Sequence, residues 1–193
     1  MRAGTPFFIA LAAVLSILLP AIPAASDDGG KRAGATKASA QVARGSYLAT
    51  ISGCHDCHSP KRFTDKGPVV DESRVLSGHP ATEKVPPVPK ELIAPGKWGG
   101  LFTGMLTAWA GPWGVSFSSN LTPDRETGIG GWTEAAFIKS IRTGQTPGGR
   151  PLLPPMPWQF LGRMTDRDLK AIYAYLKSIP PIRNMVADPI PPQ

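Results

Sequence analysis

Both cysteines of this 193-residue chain stand in one pentapeptide, Cys54-His55-Asp56-Cys57-His58. A fold that uses this string must present two thiols and an imidazole from a single turn of backbone. C-x-x-C-H is the attachment signal for c-type haem. The spacing follows from the chemistry. Two thiols a turn apart add to the two vinyl groups on one edge of a porphyrin, and His58 then lies under the iron as proximal ligand. Three other readings compete. A redox-active disulfide of the thioredoxin kind wants a βαβ context, and the context here is helical. A zinc site needs two further ligands, and His55, His58 and His79 would have to converge on the two thiols. The third is chance occurrence. With no other cysteine in the chain and an export pattern at its start, haem attachment is the reading retained.

The export pattern occupies residues 1–26. Arg2 supplies a positive charge, Phe7 to Leu19 is apolar except for Ser16, and Pro20 to Ser26 is rich in small residues. This is the layout of a secretory signal peptide, with cleavage after Ala24, Ala25 or Ser26. The competing reading is an uncleaved anchor, but the apolar run is shorter than the roughly 20 residues a membrane span needs. After cleavage no segment is expected to span a membrane. Removal of residues 1–26 takes away one basic side chain, Arg2, and leaves 20 basic against 14 acidic, a net charge of +6. The basic residues are scattered, with no stripe and no interleaved aromatics, so nucleic acid is not an expected partner. An acidic protein face or anionic lipid suits this charge, as does an ordinary solvated surface.

Residues 27–38 read as a flexible leader and 39–181 as one domain. Ser39 to Ile51 holds a helix with Val42, Gly45 and Ala49 on one face. Gly45 costs that helix about 1 kcal/mol relative to Ala, which close approach of another helix would justify. Residues 61–131 read as a long loop insertion, studded with proline and glycine and carrying Trp98, Trp109, Trp113 and Phe117. A structureless insertion of this length usually serves function. Thr133 is the N-cap of a helix ended by Gly144. Thr165 caps another, in which Leu169, Ile172, Tyr173, Leu176 and Ile179 form an apolar stripe up to Pro180. Residues 182–193 read as a disordered C-terminal tail.

A second axial ligand is sought among Met105, Met156, Met164, Met185 and His79. Met156 is favoured. Pro154, Pro155 and Pro157 stiffen its loop, so a weak thioether–iron bond costs little entropy there. Met164 looks like a staple beside the Thr165 cap, Met105 like core, and Met185 lies in the tail. His79 is the rival ligand, and Met156 as a packing methionine is the remaining alternative.

Several of these residues recur together in a known order. Arg44-Gly45-Ser46-Tyr47-Leu48 precedes the cysteine string. Asn120-Leu121-Thr122-Pro123-Asp124, Thr127-Gly128-Ile129-Gly130 and Trp132-Thr133 follow it. Pro154-Pro155-Met156-Pro157, Thr165-Asp166-Arg167-Asp168-Leu169 and Ala174-Tyr175-Leu176 complete the set. Over residues 40–181 the chain resembles a class I cytochrome c domain of bacterial periplasmic type. More narrowly, it resembles one repeat of the multihaem cytochrome subunits that accompany membrane-bound alcohol and aldehyde dehydrogenases. The resemblance implies an all-α cytochrome c fold with crossed N- and C-terminal helices, interrupted by the long Pro/Gly-rich insertion. It also implies Trp132, Trp158 and Arg150 as residues that line the haem or bind its propionates, with a plain core role open for the two tryptophans.

The reading that results is a periplasmic electron-transfer protein, not an enzyme. It would carry one covalent haem c on Cys54 and Cys57, with His58 and Met156 on the iron. Redox proteins are the expected partners, a dehydrogenase or oxidase, membrane-bound ones included. Two alternatives stay open: a haem-bearing subunit of a dehydrogenase complex, docking through 61–131, and an open-site haem enzyme or gas sensor if Met156 is not a ligand. Replacing Cys54 and Cys57 together with Ala is expected to release all haem into acidified organic solvent, and haem retained by the polypeptide would refute the attachment.

Overall fold

The computed structural model describes residues 28–93 and 96–192. The segment read as a signal peptide, 1–26, lies outside the described residues. Helix α1 spans Asp28–Ile51 and therefore runs back through the region expected to be a leader. Every residue from 34 to 41 is exposed, and burial begins only toward Gly45, Leu48 and Ala49. Helix α2, Cys54–His58, follows directly after Gly53. Two later helices start at the caps the sequence names. Thr133 accepts a hydrogen bond from Ala136 N at the start of α4, Glu134–Thr143. Thr165 accepts one from Asp168 N at the start of α6, Asp166–Ser178.

The expectation of an all-α fold is overturned. The insertion is not a loop but carries two small antiparallel sheets. Strands β1 (Lys61–Thr64) and β2 (Gly67–Val70) form a hairpin in which Lys61 pairs with Val70 and Thr64 with Gly67. Strands β3 (Leu101–Phe102), β4 (Ala108–Gly111) and β5 (Gly114–Phe117) form the second sheet, in that order. The strands are two to four residues long, too short to show alternation, and Pro68 sits inside one of them. Proline without its N–H is tolerated only where a strand has a free edge, which a two-stranded hairpin supplies. Short helices α3 (Lys90–Ile93) and α5 (Trp158–Leu161) and a 3₁₀ turn over Glu72–Arg74 complete the elements seen among the described residues.

The core lies between α1, α4 and α6. Leu48, Phe137, Ile141, Leu169, Ile172 and Leu176 are buried together. Each such side chain contributes about 1.5–3 kcal/mol over an exposed one. α1 and α6 touch backbone to backbone at Gly45. A Cβ there would intrude on the Ala171 carbonyl and stand 2.8 Å from Tyr175 Cβ. Arg44 clamps the same crossing by donating to Asp168 at 2.7 Å.

The C-terminal segment is ordered by pairing, contrary to its reading as a disordered tail. Ile190 exchanges two backbone hydrogen bonds with Val115, at 2.8 and 2.9 Å, and so adds to the free edge of β5. Among the described residues no helix is long and apolar enough to cross a membrane.

Gly45→Val is expected to lower the free energy of unfolding by about 3 kcal/mol, because neither backbone can retreat from the new methyls. Gly34→Ala, where nothing lies within 4 Å, should be neutral or stabilising by up to ~1 kcal/mol. Denaturant titration of the two variants measures both.

Candidate haem site

Gly53, at φ 71°, ends the chain path out of α1 and opens the single turn of α2. That turn sets Cys54 and Cys57 half-buried as free thiols and buries His58 to 8% exposure. Burial pushes the Cys54 thiol up to about 11, with Cys57 and Asp56 adding to the effect. Burial raises the Cys57 thiol as well, so both are protonated at neutral pH. The His58 ring stands 2.8 Å through Nδ1 from the carbonyl oxygen of Ser119. A carbonyl only accepts, so Nδ1 carries the proton and donates it. Nε2 is left as a lone-pair donor. Burial lowers the His58 pKa, which keeps the ring neutral.

Three further bonds hold the turn from the insertion side. Ser118 Oγ donates to the Cys57 carbonyl at 2.5 Å. Gly78 N donates to the His58 carbonyl at 2.8 Å. Leu76 N donates to Ser59 Oγ at 2.9 Å. Gly78 has φ 79°, and a Cβ on it would collide with the backbone of Ser118 and Ser119. Glycine here lets the segment that holds His58 lie flat against the segment that orients it.

Cys54, Cys57 and His58 line a cavity of about 610 Å³, within the size range of cofactor pockets. Met156 lines the same cavity, and so do Met164 and Met185. Met185 is 62% exposed. Met105 is not on the cavity wall, nor is His79, which is buried elsewhere. The His79 ring stands 3.0 Å through Nδ1 from Thr107 Oγ1 and packs on Phe117 with ring centres 4.9 Å apart. Of the residues the resemblance points to, Trp132 and Arg150 line the cavity. Trp158 instead lies against Gly144 at the end of α4.

The loop that carries Met156 is braced by a residue the sequence reading missed. Ser116, on β5, donates to the Pro154 carbonyl at 2.6 Å and receives the Trp113 indole N–H at 3.2 Å. Ser119 is the second such residue. It orients His58 by its backbone carbonyl, which leaves no side-chain signature. The 120–130 stretch folds back on itself around two polar side chains. Asn120 Oδ1 accepts from Thr122 N and Oγ1, and its Nδ2 donates to the Ile182 carbonyl at 2.8 Å. Asp124 Oδ1 accepts from Thr127 N and Oγ1, both at 2.7 Å, and these bonds hold its carboxyl below the usual carboxylate range. Asn184 then fastens the C-terminal segment by donating to the Ser77 and His79 carbonyls at 2.7 and 2.8 Å.

A neutral imidazole nitrogen, two thiols and a thioether on one apolar wall suit the covalent and axial bonding of a c-type haem. Among the described residues no group of three or more His, Cys, Asp and Glu side chains could hold a metal ion by itself.

Comparison with known proteins bears on the same residues. No protein-family model matches the chain. It is 33% identical over 136 residues to the cytochrome c subunit of gluconate 2-dehydrogenase from Pantoea cypripedii, which is 70% of this chain and 22% of that protein. It is 30% identical over 135 residues to the cytochrome subunit of fructose dehydrogenase from Gluconobacter japonicus, 70% of this chain and 20% of that protein. It is 29% identical over 136 residues to the cytochrome c subunit of a quinone-dependent alcohol dehydrogenase from Gluconobacter oxydans, 70% of this chain and 21% of that protein. The chain thus spans only a minor part of the length of each relative.

Asn120→Ala is expected to cost about 2 kcal/mol, because it removes the acceptor of the buried Thr122 N–H and the amide donor to the Ile182 carbonyl, leaving the Thr122 hydroxyl alone to hold Ile182. Thermal unfolding should report it, with protease cleavage appearing after residue 181.

Proposed function

We propose that this chain, which belongs to the c-type cytochrome family, passes single electrons between redox proteins through one covalently held haem. The observation that carries the reading is His58: buried, neutral, its Nδ1 proton fixed on the Ser119 carbonyl, on the wall of a cavity shared with both thiols and Met156. A haem bound there supplies a one-electron Fe(III)/Fe(II) couple.

The chain's own residues do the rest. Cys54 and Cys57, free thiols on the cavity wall, would hold the haem by thioether links. His58 Nε2 would hold the iron, and the hydrogen bond of Nδ1 to Ser119 fixes the ring plane and raises the basicity of Nε2. Met156, on the wall of the same cavity, would supply the second iron ligand. Its neutral sulfur favours the ferrous state and raises the potential. With His58 and Met156 both holding the iron, the chain would leave no place open for a substrate. Pro154, Pro155, Pro157 and the Ser116 brace keep the Met156 loop in one geometry as the electron comes and goes. Arg150, on the cavity wall, is the residue suited to a propionate.

The names of the relatives favour a dehydrogenase as electron donor, with this chain as its non-catalytic haem-bearing subunit or its soluble acceptor. The export pattern of residues 1–26 supports a periplasmic location.

Met156→Ala is expected to abolish the weak long-wavelength sulfur–iron band of the oxidised protein while haem stays attached. The variant should bind carbon monoxide and have a lower potential. Met164→Ala, Met185→Ala and His79→Ala should leave the band in place. A native protein that already binds carbon monoxide would overturn the electron-carrier reading in favour of an open-site haem protein.

A further inference from the structure

Lys61 is 7% exposed, at the first position of β1. Its ammonium donates to three backbone carbonyls: Ser59 at 2.6 Å, Asp56 at 2.8 Å and His55 at 3.2 Å. All three N–H groups are therefore used, and all on the C-terminal end of the attachment turn. Among the described residues no carboxylate stands within ion-pair distance of it; the Asp56 side chain adds only a longer-range attraction.

Burying a charge is costly, and a methyl-ended chain of the same length would fill the space without that cost. What the charge does here is specific. A helix of one turn leaves its last carbonyls without intrahelical partners, and they carry the negative end of its dipole. Ser118 and Gly78 serve the Cys57 and His58 carbonyls, and Lys61 serves those of His55 and Asp56 and of Ser59 just beyond them with a full positive charge, held within the protein and a few residues from the proximal histidine. A fixed cation at such a place disfavours the oxidised state, whose iron carries one more positive charge.

We propose that Lys61 is a positioning residue that caps the attachment turn and sets the reduction potential of the site upward by its buried charge. The proposal rests on the haem assignment above.

The test uses the periplasmically produced holoprotein and three variants. Lys61→Met removes charge and donors, Lys61→Gln keeps a neutral N–H donor, and Lys61→Arg keeps the charge. Haem content by pyridine haemochrome and the midpoint potential by spectroelectrochemistry are read on each. Lys61→Met and Lys61→Gln are expected to lower the potential by ~30 mV or more, a threefold or larger change in the Fe(II)/Fe(III) ratio at a fixed electrode potential. Lys61→Arg should stay near the wild type. The difference should persist at high salt, because a buried charge is poorly screened. A Lys61→Met or Lys61→Gln variant with the wild-type potential overturns the proposal, as does Lys61→Arg falling as far as the neutral variants, or a gap that vanishes in salt. Failure of both neutral variants to hold haem, with Lys61→Arg loading normally, would show a purely structural role and overturn it too. Wild-type protein without covalent haem would refute the haem assignment itself, an outcome separate from all of these.

Discussion

The hydrogen bond from His58 Nδ1 to the Ser119 carbonyl joins two parts of the chain 61 residues apart, and much of the architecture serves it. The imidazole must be buried, so it loses water on both nitrogens. One nitrogen can be left as a lone-pair donor only if the other has a partner that accepts and never donates. A backbone carbonyl satisfies that condition at every pH. To deliver it, the segment 115–120 must run close under α2, and Gly78 must be without a side chain so that the two can touch.

The 61–131 insertion is therefore scaffold. Its first residue caps the attachment turn, its middle returns Gly78 to the His58 carbonyl, and its last strand carries Ser116, which braces the Met156 loop, then leads into Ser118 and Ser119. The C-terminal segment closes the arrangement. Ile190 pairs with Val115 on β5, and Asn184 spans the Ser77 and His79 carbonyls. Residues 185–189 thereby come to line the same cavity as the cysteines. Among the described residues, only one buried side-chain polar atom, Thr103 Oγ1, lacks a partner. A scaffold of short strands and loops holds together because its polar groups are so nearly all satisfied.

The helical frame is simpler. α1 and α6 meet through Gly45, and their crossing brings the apolar stripe of α6 onto Leu48 and the residues of α4. Arg44 and Asp168 pin the crossing from the solvent side, where their bond contributes little stability but fixes register.

What the amino-acid sequence determines by itself is local. The cysteine string, the caps at Thr133 and Thr165, the stop at Gly144 and the reason for Gly45 are legible because spacing, capping and helix periodicity act over three or four residues. Met156, favoured for the prolines around it, and Trp132 and Arg150, which the resemblance points to, stand on the cavity wall, and Met105, read as core, stands off it; Trp158, named with Trp132 and Arg150, lies against Gly144 instead, and His79, the rival ligand, is buried elsewhere. The sheets, the ordered C-terminal segment, the backbone partner of His58 and the use of Lys61 were settled only by tertiary structure. Strands of two to four residues carry no readable alternation, and a carbonyl has no side chain to announce it. Such pairings are chosen by which distant backbone groups can be satisfied at once when α1, α4 and α6 close on their core, and that is a property of the whole packed chain.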